Sequence, residues 1–196
     1  MKSVLITGTS KGIGFETALS FARGGYKVFA TMRNLEAAST LQKQITDESL
    51  NIIIYKMDVD SDDSVKHCIQ SIIEEHGIID VLVNNAGIER HGSIEELPMS
   101  DFKAIMETNY FGVIRCIQAV LPQMRENKNG CIINVGSVAG KIANTPLSAY
   151  CASKFALEAL IESLAGEVKP FNIRVSLIEP GIIDTKMAQD ITVDSH

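Results

Sequence analysis

Ser3-Val4-Leu5-Ile6-Thr7-Gly8-Thr9-Ser10-Lys11-Gly12-Ile13-Gly14 is the stretch that decides the fold. Ser3–Thr7 is a short apolar run without alternation, which reads as a strand buried on both faces. From Ile13 to Arg23 the apolar residues take a helical period, which Gly24-Gly25 ends. Between them stand Gly8, Gly12 and Gly14. A tight strand-to-helix turn with missing Cβ atoms lets a pyrophosphate approach, and a helix N-terminus favours its charge. The spacing is G-x-x-x-G-x-G rather than the G-x-G-x-x-G dinucleotide fingerprint.

Outward from this unit, strand and helix keep alternating. Strands are expected at Lys27–Met32, Asn51–Met57, Val81–Val83, Cys131–Val135 and Arg174–Ile178. Helices are expected at Leu35–Glu48, from a Ser61-Asp62 cap to His76, from Ser100 to Glu126 with a kink at Pro122, and at Ala149–Val168. Unbroken β-branched runs mean strands buried on both faces. The alternation gives an α/β fold, a doubly wound parallel sheet. In the last helix Leu157, Leu160, Ile161, Leu164 and Val168 form one core stripe.

The chain has 196 residues, 45% of them apolar, which is one domain spanning 1–196 with a good-sized core. A net charge of -6 with scattered signs leaves no basic footprint for nucleic acid. The apolar run Val4-Leu5-Ile6 is too short for a signal segment or a membrane span. Cys68, Cys116, Cys131 and Cys151 have neither CxxC nor metal spacing. They read as core thiols in a reduced, cytoplasmic protein without a metal.

Chemistry is concentrated at Ser137, Tyr150 and Lys154. Tyr-x-x-x-Lys on a helix puts both side chains on one face, and an ammonium there favours the phenolate and lowers the tyrosine pKa. Tyr150 is thus a candidate acid/base for a hydroxyl or carbonyl, and with the glycine turn the pair suggests hydride transfer. Thr31-Met32-Arg33-Asn34 closes the second strand without the carboxylate that an NAD ribose needs. Arg33 can fork onto a 2′-phosphate, and Lys11 adds charge, so NADP(H) is the expected cofactor. Met32→Asp is expected to reverse that preference. Asp58 either accepts from an adenine amino group or is a turn residue before the next helix. Asn84-Asn85-Ala86-Gly87 is open to reading as a simple turn. Glu89-Arg90-His91 reads as a solvated loop, with lining of a substrate mouth as the alternative. His67, His76 and His196 have no triad-like setting, which leaves a hydrolase without support.

At this point the chain resembles the short-chain dehydrogenase/reductase family. The matching motifs are TGTSKGIG (7–14), DV (58–59), NNAG (84–87), Asn109 in METNYFG, GS (136–137), YCASK (150–154) and EPG (179–181) followed by Thr185. The resemblance implies a Rossmann-like sheet. It implies Tyr150 as acid/base, Ser137 on the substrate oxygen, Lys154 on the nicotinamide ribose and Asn109 holding a water in a proton relay. The implied cofactor site comprises Gly8, Ser10, Lys11, Gly12, Ile13, Gly14, Arg33, Asp58, Val59, Asn85, Ala86, Gly87, Tyr150, Lys154, Pro180, Gly181 and Thr185. The substrate would be a small secondary alcohol or carbonyl. A cofactor-binding sensor or partner subunit without turnover is the alternative. GSVAG, Arg33 and EPG together resemble the branch of 17β-hydroxysteroid and retinol dehydrogenases. Fifteen residues follow Gly181, so the family's C-terminal lid and last strand are expected to be missing. Family members pair the Ser100–Glu126 and Ala149–Val168 helices across a two-fold axis. That implies a homodimer or homotetramer burying Phe155, Ala159 and Ser163.

Overall fold

A computed structural model of the chain describes residues 1–181 and 183. In chain order the elements are β1 (Ser3–Thr7), α1 (Gly12–Arg23), β2 (Lys27–Met32), α2 (Ser39–Glu48), β3 (Ile52–Lys56) and α3 (Asp62–His76). Then follow β4 (Val81–Asn84), α4 (Met99–Met106), α5 (Gly112–Glu126), β5 (Gly130–Val135), α6 (Ser148–Val168) and β6 (Ile173–Ile178). The described strands form one parallel sheet in the order β3-β2-β1-β4-β5-β6. This is the doubly wound, Rossmann-like architecture, with its topological switch between β1 and β4.

Alternate residues of each strand feed two apolar layers. Val4, Ile6, Val28 and Ala30 pack with Ala18, Leu19 and Leu41 on the α1/α2 side. Leu5, Phe29, Leu82 and Ile132 pack with Ile69, Ile72, Ile117, Val120, Leu157 and Ile161 on the α3/α5/α6 side. Burial on both faces holds for β1 and β4. It fails for β6, where Arg174, Ser176 and Ile178 are exposed. Only one face of β6, through Val175 and Leu177, joins the core, so its apolar run does not mark two covered faces.

Two helices depart from expectation. Leu35–Ala38 forms a 3₁₀ turn capped by Asn34 before α2 begins. The helix expected over Ser100–Glu126 is divided by a π-helical turn at Glu107–Phe111, while α5 runs through Pro122. The extra residue turns Thr108 and Asn109 inward, where both are buried. Arg115 binds Glu107 and Asp62 and donates to Val59 O at 3.1 Å, which clasps this turn to the start of α3. Ser61 caps α3 as expected, accepting from Ser64 N–H. No helix of the described residues is long and apolar enough to cross a membrane.

The two switch strands are joined at their C-terminal ends. Thr7 Oγ1 accepts from Asn85 N–H and Ala86 N–H, each at 2.9 Å. Asn85 Nδ2 donates back to Thr7 O at 2.9 Å and Gly8 O at 3.0 Å. Thr7→Val keeps the shape and leaves two main-chain donors without their acceptor. It should cost about 2–4 kcal/mol in urea unfolding, with the denaturant slope unchanged. A midpoint equal to wild type would show that water replaces the hydroxyl.

Candidate active site

The glycine turn lies at the switch point. Gly8 and Gly12 have left-handed backbones, φ 70° and 62°. The missing Cβ atoms of Gly8 and Gly14 are required by the protein itself. A Cβ on Gly8 would stand 2.8 Å from Ala86 Cα, and one on Gly14 would press into Asn85 Nδ2 and Gly8 O. The sequence reading assigned that space to a ligand; the NNAG loop fills it instead. What remains for an anion is the start of α1. Lys11 is its N-cap residue and makes no side-chain cap bond, and the first turn carries no acidic residue. The first N–H groups of a twelve-residue helix therefore face the crevice without a carboxylate against them. Ser10 and Ile13 are half-buried on this turn, and Lys11 is exposed.

The end of β2 presents Arg33 to solvent, while Met32 is buried at 3% exposure. A carboxylate at 32 would enter the core beneath α1 and α2, so the expected reversal by Met32→Asp does not follow from this geometry. Asp58 Oδ1 accepts from Asp60 N–H at 3.2 Å, and Asp58 N–H donates to Ser64 Oγ at 2.9 Å. Asp58 thus serves the turn before α3 through its Oδ1 and its main-chain N–H. Val59 is buried against Gly112. Asn85, Ala86 and Gly87 form the wall opposite the glycine turn.

Ser137, Tyr150 and Lys154 come together at the C-terminal ends of β5 and α6's first turns. Ser137 caps a 3₁₀ turn, accepting from Ala139 N–H at 3.1 Å, and its side chain is near enough to the Tyr150 phenol to favour the phenolate. Lys154 Nζ donates to Val135 O at 2.9 Å and stands 5.6 Å from the centre of the Tyr150 ring. Asn109 is fully buried in the π turn. Its Oδ1 accepts from Ile88 N–H at 2.8 Å, and its Nδ2 donates to Ile88 O at 2.9 Å and Ser153 Oγ at 3.0 Å. Both amide protons are engaged with protein, so a water relay would have to use another atom of Asn109. Pro180 O accepts from Val138 N–H at 3.1 Å, which brings the EPG segment beside Ser137. Gly181 is exposed, and Thr185 lies outside the described residues.

The electrostatics reverse one expectation. Burial pushes the Tyr150 phenol above its usual range; Ser137 opposes this, and Glu89 adds to it. Burial pulls Lys154 down to about 8, with Glu89 opposing. Burial drives both groups towards neutrality, and for the phenol it is the largest influence.

Sequence reasoning missed three partners. Ser153 links Asn109 to α6 by accepting from Asn109 and donating to Tyr150 O at 2.7 Å. Asn84 donates to Asn134 at 2.9 Å beneath the site, and Asn134 donates to Ser176 O. Glu89 and His91, read as a solvated loop with lining of a substrate mouth as the alternative, are half-buried and bound to each other at 2.7 Å, a pairing the sequence did not show. An acidic residue and a histidine two apart, straight after NNAG, were the available signal.

With this geometry in view, the similarity to known proteins is informative. The sequence profile described as short chain dehydrogenase matches residues 2–196, and the chain belongs to that family. It is 42% identical over 190 residues to retinol dehydrogenase 8 of Bos taurus, covering 94% of this chain and 60% of that protein. The chain thus spans about three fifths of this relative's length, and the likeness bears out the branch suggested by GSVAG and EPG. A gluconate 5-dehydrogenase from Burkholderia cenocepacia, solved with NADP and tartrate, superposes with a TM-score of 0.91 at 31% identity, over 99% of this chain and 76% of that one. An actinorhodin polyketide ketoreductase solved with NADPH gives 0.93 at 31% identity, over 97% and 74%.

A depressed lysine pKa makes stability depend on pH. The unfolded chain holds the Lys154 proton up to about 10.5, the folded chain only to about 8. Between these values the unfolded state binds more protons, so this group's contribution rises with pH. Below pH 8 the cost of burying the charged lysine is present in full. Unfolding of the cofactor-free protein should therefore show wild type gaining on Lys154→Met from pH 8 to 10.5. A flat difference would mean that Lys154 titrates normally.

Proposed function

We propose that this family member is an NADP(H)-dependent oxidoreductase that interconverts a secondary alcohol and a carbonyl, with 1–196 as its cofactor-binding domain. The observation that carries this is Tyr150 with Lys154 one turn away, 5.6 Å from its ring, and Ser137 capping the turn after β5, at the sheet end that also holds the glycine turn. The residues present fit such a cofactor. The first turn of α1 is free of acidic residues, Arg33 stands exposed after β2 and would hold a 2′-phosphate, and Gly8 packs against Asn85 and Ala86 across the switch point. The relatives solved with NADP and NADPH support the same choice. When bound, this cofactor supplies the hydride in reduction and accepts it in oxidation.

The side chains do the rest. Ser137 holds the substrate oxygen, and Tyr150 gives it a proton as the carbonyl carbon becomes a carbinol. In oxidation the phenolate takes that proton back. Burial keeps Tyr150 protonated at neutral pH, which suits the donor role. Oxidation needs the phenolate, and each unit of pKa lowering corresponds to about 1.4 kcal/mol of preferential stabilisation. Lys154 and the positive charge of an oxidised nicotinamide are the sources available for it. Asn109 fixes the loop at Ile88 against α6, and Asp58, Val59, Ala86, Gly87, Pro180 and Gly181 line the cofactor path.

Phe155 is 44% exposed on the same face of α6 as exposed Ala159 and Ser163, and Phe111, in the π turn before α5, is 45% exposed, which supports an assembly through this side of the protein. The four cysteines are unpaired thiols, which supports a reducing, cytoplasmic setting.

Tyr150→Phe should lower turnover of carbonyls by ~10²–10⁴ with NADPH affinity nearly unchanged. Near-normal turnover would remove Tyr150 as the acid/base. Binding of NADPH by wild type without turnover of any carbonyl would favour the sensor reading.

Arg33→Ala should weaken NADPH about tenfold or more and leave NADH alone, because one charge-assisted bond is worth ~1.5–3 kcal/mol. Dissociation constants for both cofactors at one salt concentration decide it. Equal losses for both would place Arg33 away from the phosphate.

A further inference from the structure

The loop between β4 and α4 carries a carboxylate–imidazole pair that the proposed reaction does not use. Glu89 Oε1 lies 2.7 Å from His91 Nε2, with the two side chains 16% and 18% exposed. The loop is fastened at both ends. Ile88 exchanges two hydrogen bonds with Asn109, and Gly92 N–H donates to Pro146 O at 3.0 Å. Leu97 fills the space beside Gly92, where a Cβ would stand 2.8 Å from Leu97 Cγ. Both fastenings lead to the start of α6. Asn109 donates to Ser153, and Pro146 lies four residues before Tyr150. The pair is therefore held beside Tyr150 and Lys154, and the Glu89 charge acts on both.

A carboxylate so placed has already lost most of its water. A substrate seated at Tyr150 removes more. That costs binding unless the substrate donates a hydrogen bond in return. A hydroxyl or an ammonium next to the reacting carbon does so; a bare hydrocarbon flank does not. Sites built around such a buried polar group reject the analogue lacking the donor far more strongly than an apolar pocket rejects an extra methylene.

We propose that the Glu89–His91 pair is a specificity-determining site that selects carbonyl substrates bearing a neighbouring hydroxyl or ammonium donor. His91 holds the carboxylate in place, and Glu89 accepts from the substrate. This selection rests on Tyr150 being the acid/base of the proposed reaction.

The test compares 3-hydroxybutan-2-one, 1-aminopropan-2-one and butan-2-one with NADPH. Wild type should favour at least one donor-bearing ketone over butan-2-one by about tenfold or more in kcat/KM. Glu89→Leu should bring that ratio to within about threefold. Glu89→Gln should keep a hydroxyl preference and lose an ammonium preference, which separates the two donors. A second reading needs no turnover. The His91 ring resonances, assigned with His91→Gln, should shift when a donor-bearing ketone is added to the NADPH-saturated protein and stay put with butan-2-one. Turnover with equal rates on all three ketones overturns the selection and leaves the role of Tyr150 standing. Absence of turnover on every ketone sinks the role of Tyr150. His91 then decides for the pair: a donor-dependent shift supports it, and an equal or absent shift overturns it.

Discussion

The two switch strands are held at their C-terminal ends by the exchange between Thr7 and Asn85, and the glycine turn takes its shape from it. A parallel sheet that reverses its winding opens a crevice between the two switch strands, and nothing in the ladder itself closes it. Here the Thr7 hydroxyl accepts two main-chain N–H groups of the NNAG loop, and the Asn85 amide returns two bonds to Thr7 O and Gly8 O. The glycine turn and the wall opposite it are thereby one rigid body. That explains the glycines. At Gly8 and Gly14 a Cβ would collide with Asn85 or Ala86 before it met any ligand. The crevice left over is shaped by protein contacts and then available to a phosphate at the start of α1.

Strand positions were legible because buried β-branched runs between turn residues have few other uses. β1 and β2 fall on the expected residues. The π turn at Glu107–Phe111 was not legible. One inserted residue shifts the helical phase by about 100°, but Thr108-Asn109-Tyr110 offers no glycine or proline to mark it. Pro122 drew the expectation of a kink, yet the departure from α geometry lies more than ten residues earlier, where side chains clasp the chain. At β6 the apolar run alone misled, since covering of its second face is a tertiary fact.

The site was legible as a set of residues and illegible as an electrostatic state. Spacing put Tyr150 and Lys154 on one helix face, and they are there. Spacing carries no information about water, and desolvation dominates both groups. The nearby lysine is itself buried, which pulls its own pKa down, and its ammonium is engaged with Val135 O. Glu89 matters for the same reason. Three consecutive polar residues after NNAG look like solvent-facing chain, yet the Asn109 and Pro146 anchors draw two of them inward.

These anchors connect the two ends of the site through Asn109. Thr108 Oγ1 donates to Asp60 Oδ2 at 3.0 Å, and Asp60 follows Asp58 and Val59 at the end of β3. Asp60 also feels the charge of Arg33, while burial is the larger influence and raises its pKa. Arg115 ties the same π turn to Val59 O and to the start of α3. One residue further along, Asn109 holds Ile88 and Ser153, and so the Glu89 loop and the Tyr150 helix. An α-helix through these positions would point Thr108 and Asn109 elsewhere, because each added residue turns the face by about 100°. The π turn lets adjacent residues reach opposite ends of the crevice. Its geometry therefore sets the spacing between the end of β3 and Tyr150.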